Sequence, residues 1–308
     1  MRVAGAPISW GVSEVPGWGY QIPPTQVLNE MRLLGLAATE LGPAGYLPPG
    51  RLARARLLRS HGLALAGGFV PVVLHDPGTD PLPAVGRALD AFAALPAAGS
   101  GPGPGPGRGP GPGPVLVLGA VTGRGGYDAR PPLDVQGWAT LLCNLDRIAA
   151  RAADLGFAAV LQPHVGTMIE TRDEVRAVLD GARIPLCLGT GHLLIGGTDP
   201  AALAAELAAA AADRIGHVHL QDVHAALARQ VADRKTRYTE AVRRGVYRSL
   251  GDGDVDVAGV LGALTSAGYD GWYVLEQATI LDSPADSGTP RAQAERSLSF
   301  LRKFGDLA

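Results

Sequence analysis

Apolar residues fall into two patterns that alternate along the chain. Eight short runs have strand length and β-compatible composition: "VAGAPIS" (3–9), "LAATELG" (36–42), "LALAGGFV" (63–70), "VLVLGAV" (115–121), "AAVLQ" (158–162), "PLCLG" (185–189), "IGHVHL" (215–220) and "WYVLEQ" (272–277). Between them, segments such as "TQVLNEMRLLG" (25–35), "LDVQGWATLLCNLDRIAARAADLG" (133–156) and "PAALAAELAAAAADRIG" (200–216) repeat apolar residues at helical spacing and close on glycine or proline. Eight strand–helix alternations over about 250–300 residues predict an α/β fold closed as a (β/α)8 TIM barrel. A doubly wound sheet would carry a glycine-rich phosphate turn after its first strand, and "SWGVSEVPGWGYQ" is not GxGxxG. The barrel is expected to take residues 1–308 as a single domain. The tract "GSGPGPGPGRGPGPGP" (99–114) falls between the third helix and fourth strand, on the non-catalytic face. It reads as a disordered or polyproline-like insertion, because lengthening a loop costs little, or else as an SH3-type ligand.

Composition narrows the classes. A chain of 308 residues with 46% hydrophobic content can bury a large core. The net charge of −2 gives no global attraction to nucleic acid or anionic membrane. Cys143 and Cys187 lie far apart with no CxxC pattern, as expected in a reducing compartment. The start "MRVAGAPISWG" has no signal-peptide core, and no run approaches the ~18 apolar residues of a membrane span. A cytoplasmic protein follows, with no nucleic-acid or membrane partner.

The polar residues then cluster on the predicted frame. Of seven histidines, His75, His164, His192, His217, His219 and His224 lie in strands or just beyond their ends, and only His61 precedes one. Barrel enzymes keep their chemistry on that rim. Glu40 ends the second strand, Asp222 follows the seventh and Glu276 ends the eighth. In "HVHLQD" (217–222) the two-residue period sends His217 and His219 to one face. Two such imidazoles suit a divalent metal or a proton relay, or form a hydrogen-bonded core pair. Burying the Glu276 carboxylate in an apolar strand is costly unless it is paired, so it reads as functional.

At these residues the chain resembles the xylose-isomerase-like TIM barrels, the sugar phosphate isomerase/epimerase superfamily. Within them it is most similar to the inosose dehydratase branch of myo-inositol catabolism. The matching pieces are "PISWG", "TELGPAGYLP", "GGFVPV", "PHVGTMIET", "TGHLLIGGTDP", "HVHLQDV", "GDGDVD" and "AGYDGWYVLEQ". The resemblance implies a divalent ion, Mn, Co or Mg, held from strands five to eight. Its ligand positions fall on Gln162, Gly189, His219 and Glu276. Gln162 is a weak donor, and Gly189 stands where the resemblance implies aspartate.

The resemblance also implies proton abstraction next to a carbonyl, leading to isomerisation or dehydration of a sugar or cyclitol. Glu276 is the expected base, with His192 or His164 as acid; Gln162 cannot serve as a second base. Trp10, Glu40, His217 and Asp222 are the expected substrate-binding residues, with Trp18 and Tyr46 on the same rim. Residues 232–256 either supply Arg or Lys to an anionic group or form a solvated helix. A repurposed paralogue that binds a cyclitol without turnover is the alternative. A nuclease of the same barrel type would need a basic groove that the chain lacks. A homo-oligomer is compatible with the resemblance.

Overall fold

The computed structural model describes residues 1–93 and 113–307. Residues 99–112 of the Gly/Pro tract lie outside that set. Among the described residues ten strands run in chain order as β1 (Arg2–Gly5), β2 (Ala38–Glu40), β3 (Ala64–Val72), β4 (Val115–Ala120), β5 (Ala158–Leu161), β6 (Leu186–Gly189), β7 (Ile215–Leu220), β8 (Asp222–Val223), β9 (Tyr247–Arg248) and β10 (Trp272–Leu275). Eight of them close a barrel in the order β1-β10-β7-β6-β5-β4-β3-β2. All eight neighbouring pairs are parallel, and β1 against β10 seals the circle between the ends of the chain. Each of the eight apolar runs therefore supplies a barrel strand. The remaining two, β8 and β9, form a small antiparallel ribbon outside it.

Helices cover the outside, and their ends are stopped by side chains the sequence provides. Asp134 accepts from the Gly137 N–H at 2.7 Å to start the helix Val135–Asp154, and Thr171 with Glu174 makes a capping box before Arg172–Gly181. A large apolar core, running from Val3 to Leu301, fills the space between the strands and these helices, with two smaller clusters around Trp272 and Val117. Among the described residues no helix is long and apolar enough to cross a membrane.

Two glycines shape the rim. A Cβ on Gly119 would lie 2.2 Å from Phe69 Cζ, so the absence of a side chain lets that ring lie across β4, where its centroid is 5.4 Å from that of His164. Gly166 has φ +75°, and a Cβ there would meet the Tyr127 carbonyl at 2.0 Å. The loop after β5 can thus press against the loop after β4. Arg130 fastens the same corner, with contacts of 3.1 Å to Glu170 and 2.6 Å to Glu174.

Candidate active site

A cavity of about 510 Å³ opens at the C-terminal mouth of the barrel, and Glu40, His164, His219 and Glu276 line it. These four come from β2, the end of β5, β7 and the end of β10. His217 lies just behind them: its Nε2 is 3.3 Å from Glu40 Oε1, and His219 Nε2 is 3.0 Å from the same oxygen. The two-residue period of "HVHLQD" is therefore realised, with both rings turned onto one carboxylate. On its other side, His219 Nδ1 meets Glu276 Oε2. Both ring nitrogens of His219 thus lie close to carboxylate oxygens, a placement that favours the doubly protonated, charged ring.

The electrostatics agree with that geometry. Burial opposes charge on His219, but the Cys187 sulfur and the Glu40 and Glu276 carboxylates outweigh it and hold the imidazolium well above the ordinary histidine range. For Glu40, burial would raise the carboxyl, yet His219 and His217 hold it below the usual carboxylate range. Burial pushes His217 and His164 down, and burial with the neighbouring His164 and His219 pushes His192 down further. His192 sits on the short helix Thr190–Ile195 that follows β6. Its ring stacks on His164 with centroids 3.7 Å apart, and its Nε2 lies 4.0 Å from Glu276 Oε1. Stacked at that distance, the two rings are neutral together at modest cost and charged together only at high cost.

The positions implied for a divalent ion do not fit one. Gln162 is fully buried, and neither atom of its amide has a hydrogen-bond partner. A Cβ on Gly189 would lie 2.9 Å from Gln162 Nε2 and 3.4 Å from Gln221 Oε1, so the Gln162 amide crowds the room an aspartate would need. One neutral amide and one empty position leave two strong donors, and His219 has both nitrogens engaged. The compact donor group lies elsewhere: Glu40, His217 and His219, all buried, bring their donor atoms within 4.8 Å of one another.

Three of the expected substrate contacts, Trp10, His217 and Asp222, do not reach the cavity lining, His217 being fully buried behind Glu40. Trp10 is fully buried away from the cavity lining, where its indole N–H donates to Glu30 Oε2 at 2.8 Å. Asp222 is also off the lining, and its carboxylate accepts from the backbone N–H groups of Val223, Gly251, Gly253 and Val255 at 2.9–3.1 Å. Four such bonds use up its lone pairs, so it organises the 249–255 turn. Tyr46 gives its hydroxyl proton to the Ile22 carbonyl at 3.0 Å, whereas Trp18 does line the cavity. His75 and His224 do not reach the lining.

The segment after β7 contributes tyrosines to this region, with no Arg or Lys of its own on the lining. Tyr238, at the start of helix Tyr238–Arg243, lines the cavity, and Tyr247 on β9 stands behind it with the hydroxyls 3.0 Å apart. Tyr127 and Glu14 complete the wall from the loops after β4 and β1, joined by a 2.5 Å hydrogen bond. Sequence reasoning passed over all four, because they lie in loops and very short elements that carry no sustained periodicity to place a side chain.

A barrel with its polar groups gathered at the strand ends is the architecture of a large enzyme group, and comparison with known proteins specifies which. Residues 112–304 match the xylose isomerase-like TIM barrel family model, and the chain belongs to that family. It is 32% identical over 285 residues to the rhizopine catabolism protein MocC of Rhizobium meliloti, covering 90% of this chain and 81% of that one. To the inosose dehydratase of Geobacillus kaustophilus it is 31% identical over 286 residues, covering 89% and 86% of the two chains. Among solved structures, a D-allulose 3-epimerase from Methylomonas sp. superposes with a TM-score of 0.63 at 20% identity, covering 98% and 97%. The probable 3-DHS dehydratase AsbF of Bacillus anthracis gives 0.65 at 13% identity, covering 97% and 99%. These two likenesses show the fold.

Proposed function

We propose that the chain is a dehydratase or isomerase of a cyclitol ketone or keto-sugar, working by removal of a proton next to the carbonyl. The observation that carries this reading is the Glu276 carboxylate, set in the cavity wall with His219 against one of its oxygens. Glu276 takes the α-proton, and the C–H electrons move toward the carbonyl oxygen to give an enediolate. Gln162 cannot exchange a proton, so it cannot be the second base that two-base epimerisation would need. One carboxyl suffices if the proton stays on one face of the ring. Glu276 returns it to the neighbouring carbon in isomerisation. In dehydration it gives the proton to the departing β-hydroxyl; water leaves, and the enediolate electrons close the new C=C bond.

His164 and His192 take supporting parts in this scheme. The proton of His164 is held by the Val165 carbonyl at 2.8 Å, and that of His192 Nε2 is directed at Glu276. The acid role expected of them therefore passes to Glu276, and they orient the ring. The names of the two sequence relatives, an inosose dehydratase and a rhizopine catabolism protein, support the cyclitol class. Two free cysteines, Cys143 and Cys187, suit a reducing compartment such as the cytoplasm.

A second reading, binding without turnover, is favoured by Gly189 and Gln162. The test is incubation of the purified protein with a panel of inososes and keto-sugars, followed by NMR and by the ultraviolet band of a conjugated enone. A dehydrated or isomerised product supports the proposal. Saturable binding with no product from any member of the panel assigns the second reading instead.

A further inference from the structure

The hydrogen bonds around the Tyr238 hydroxyl run in one direction. The Val165 backbone N–H donates to His192 Nδ1 at 3.4 Å, which fixes that nitrogen as a lone-pair acceptor. The Tyr247 hydroxyl, 3.3 Å from the same nitrogen, is therefore the donor there. A phenol has a single proton, so in the 3.0 Å contact between Tyr247 and Tyr238 the proton comes from Tyr238. Tyr238 is left with only lone pairs to offer the cavity it lines.

Two neighbours reach the same state by separate routes. Tyr127 gives its proton to Glu14 Oε1. His164 gives its Nδ1 proton to the Val165 carbonyl, which leaves Nε2 of the neutral imidazole as an acceptor. The three rings touch: centroids are 4.6 Å apart for Tyr127 and His164, 6.2 Å for His164 and Tyr238, and 6.4 Å for Tyr127 and Tyr238.

We propose that Tyr127, His164 and Tyr238 form a wall of acceptors without donors, and that Tyr238 is its specificity-determining member. The wall admits ring substituents that donate, hydroxyl or ammonium, and turns away those that only accept, phosphate above all. This rests on the reading that the cavity takes a small polyhydroxylated ring. A hydroxyl satisfies one of these lone pairs; a phosphate dianion would set its own oxygens against them after losing its water. Tyr247 is a positioning residue, acting only through the direction it imposes on Tyr238. Arg54 and Arg87 also line the cavity, from helices Arg51–Ser60 and Leu82–Phe92, and are not part of this wall.

The experiment titrates the full chain with an inosose and with the monophosphate ester of the same ring, following tryptophan emission, since Trp18 lines the cavity. Wild type should bind the ester about tenfold or more weakly. Tyr238→Phe should weaken the parent ring about two- to tenfold, the worth of one neutral hydrogen bond, and bind the ester no more weakly than wild type, since the opposing lone pairs are gone. Tyr247→Phe should narrow the same ratio with Tyr238 still in place, because the freed phenol proton can turn into the cavity. A merely structural role for Tyr247 would not move that ratio. An ester bound by wild type as tightly as the parent, or a ratio unmoved in both variants, overturns the proposal. Discrimination without turnover would sink the proposed reaction and keep the wall; turnover with equal affinity for the ester would do the reverse.

Discussion

His219 is the residue on which the site turns, because it holds a positive charge between Glu40 and Glu276. Removing one partner of such a buried pair costs about 3–5 kcal/mol. The pH dependence has a definite sign. Glu40 is depressed, so its contribution is present above its unfolded value near pH 4 and is lost as pH falls through the lower folded value. His219 is raised, so its contribution is full below its unfolded value near pH 6.5 and is lost as pH rises through the higher folded value. The melting temperatures of wild type and His219→Gln should therefore differ most between about pH 4.5 and 6.5 and converge toward alkaline pH. A gap that widens steadily from pH 6 to pH 10 would contradict the charged assignment. At this scale the sequence was informative where a strand ended on a charged or imidazole residue, as at Glu40, His219 and Glu276. It misled at Trp10 and Asp222, since nearness to a strand end does not say whether a side chain turns to the cavity or to backbone donors beside it.

At the level of elements, strand identity and facing were legible because apolar runs and the two-residue period are local properties. What lies over the mouth was not. The ribbon of β8 and β9, the helix Tyr238–Arg243 and the turn 249–255 hold together through contacts distant in sequence. Asp222 is the clearest case, joining the start of that insertion to its end. Asp222→Asn would set an amide N–H₂ against backbone N–H groups that now share a carboxylate. The expected loss is about 1–3 kcal/mol, seen as a lower melting temperature and faster proteolysis at residues 249–255. An unchanged melting curve would mean that the turn is held by other contacts. The segment's basic start suggested an anion contact, yet its arginines face outward, as in the 3.0 Å pair of Arg243 with Asp282. Its tyrosines face in.

For the whole molecule, the barrel and the family followed from repeated alternation and from motifs spread over the chain, both of which survive local substitution. The ion that the resemblance implied depends on four positions, and two of them have changed. Dialysed protein should retain little Mn or Co, and Gly189→Asp combined with Gln162→His should raise retention, as read by elemental analysis. Metal held by the wild type at one tight equivalent through dialysis would show the impaired donor set to be a misreading; loss of that metal in Glu40→Gln would place it on Glu40, His217 and His219.

The measurement closest to the central claim is exchange of the α-proton of an inosose in D₂O, followed by NMR for wild type and for Glu276→Gln. Wild type should exchange or turn over the ring. The variant should slow this at least about 100-fold while tryptophan titration shows that it still binds. Exchange by Glu276→Gln at the wild-type rate would remove that carboxylate from the reaction.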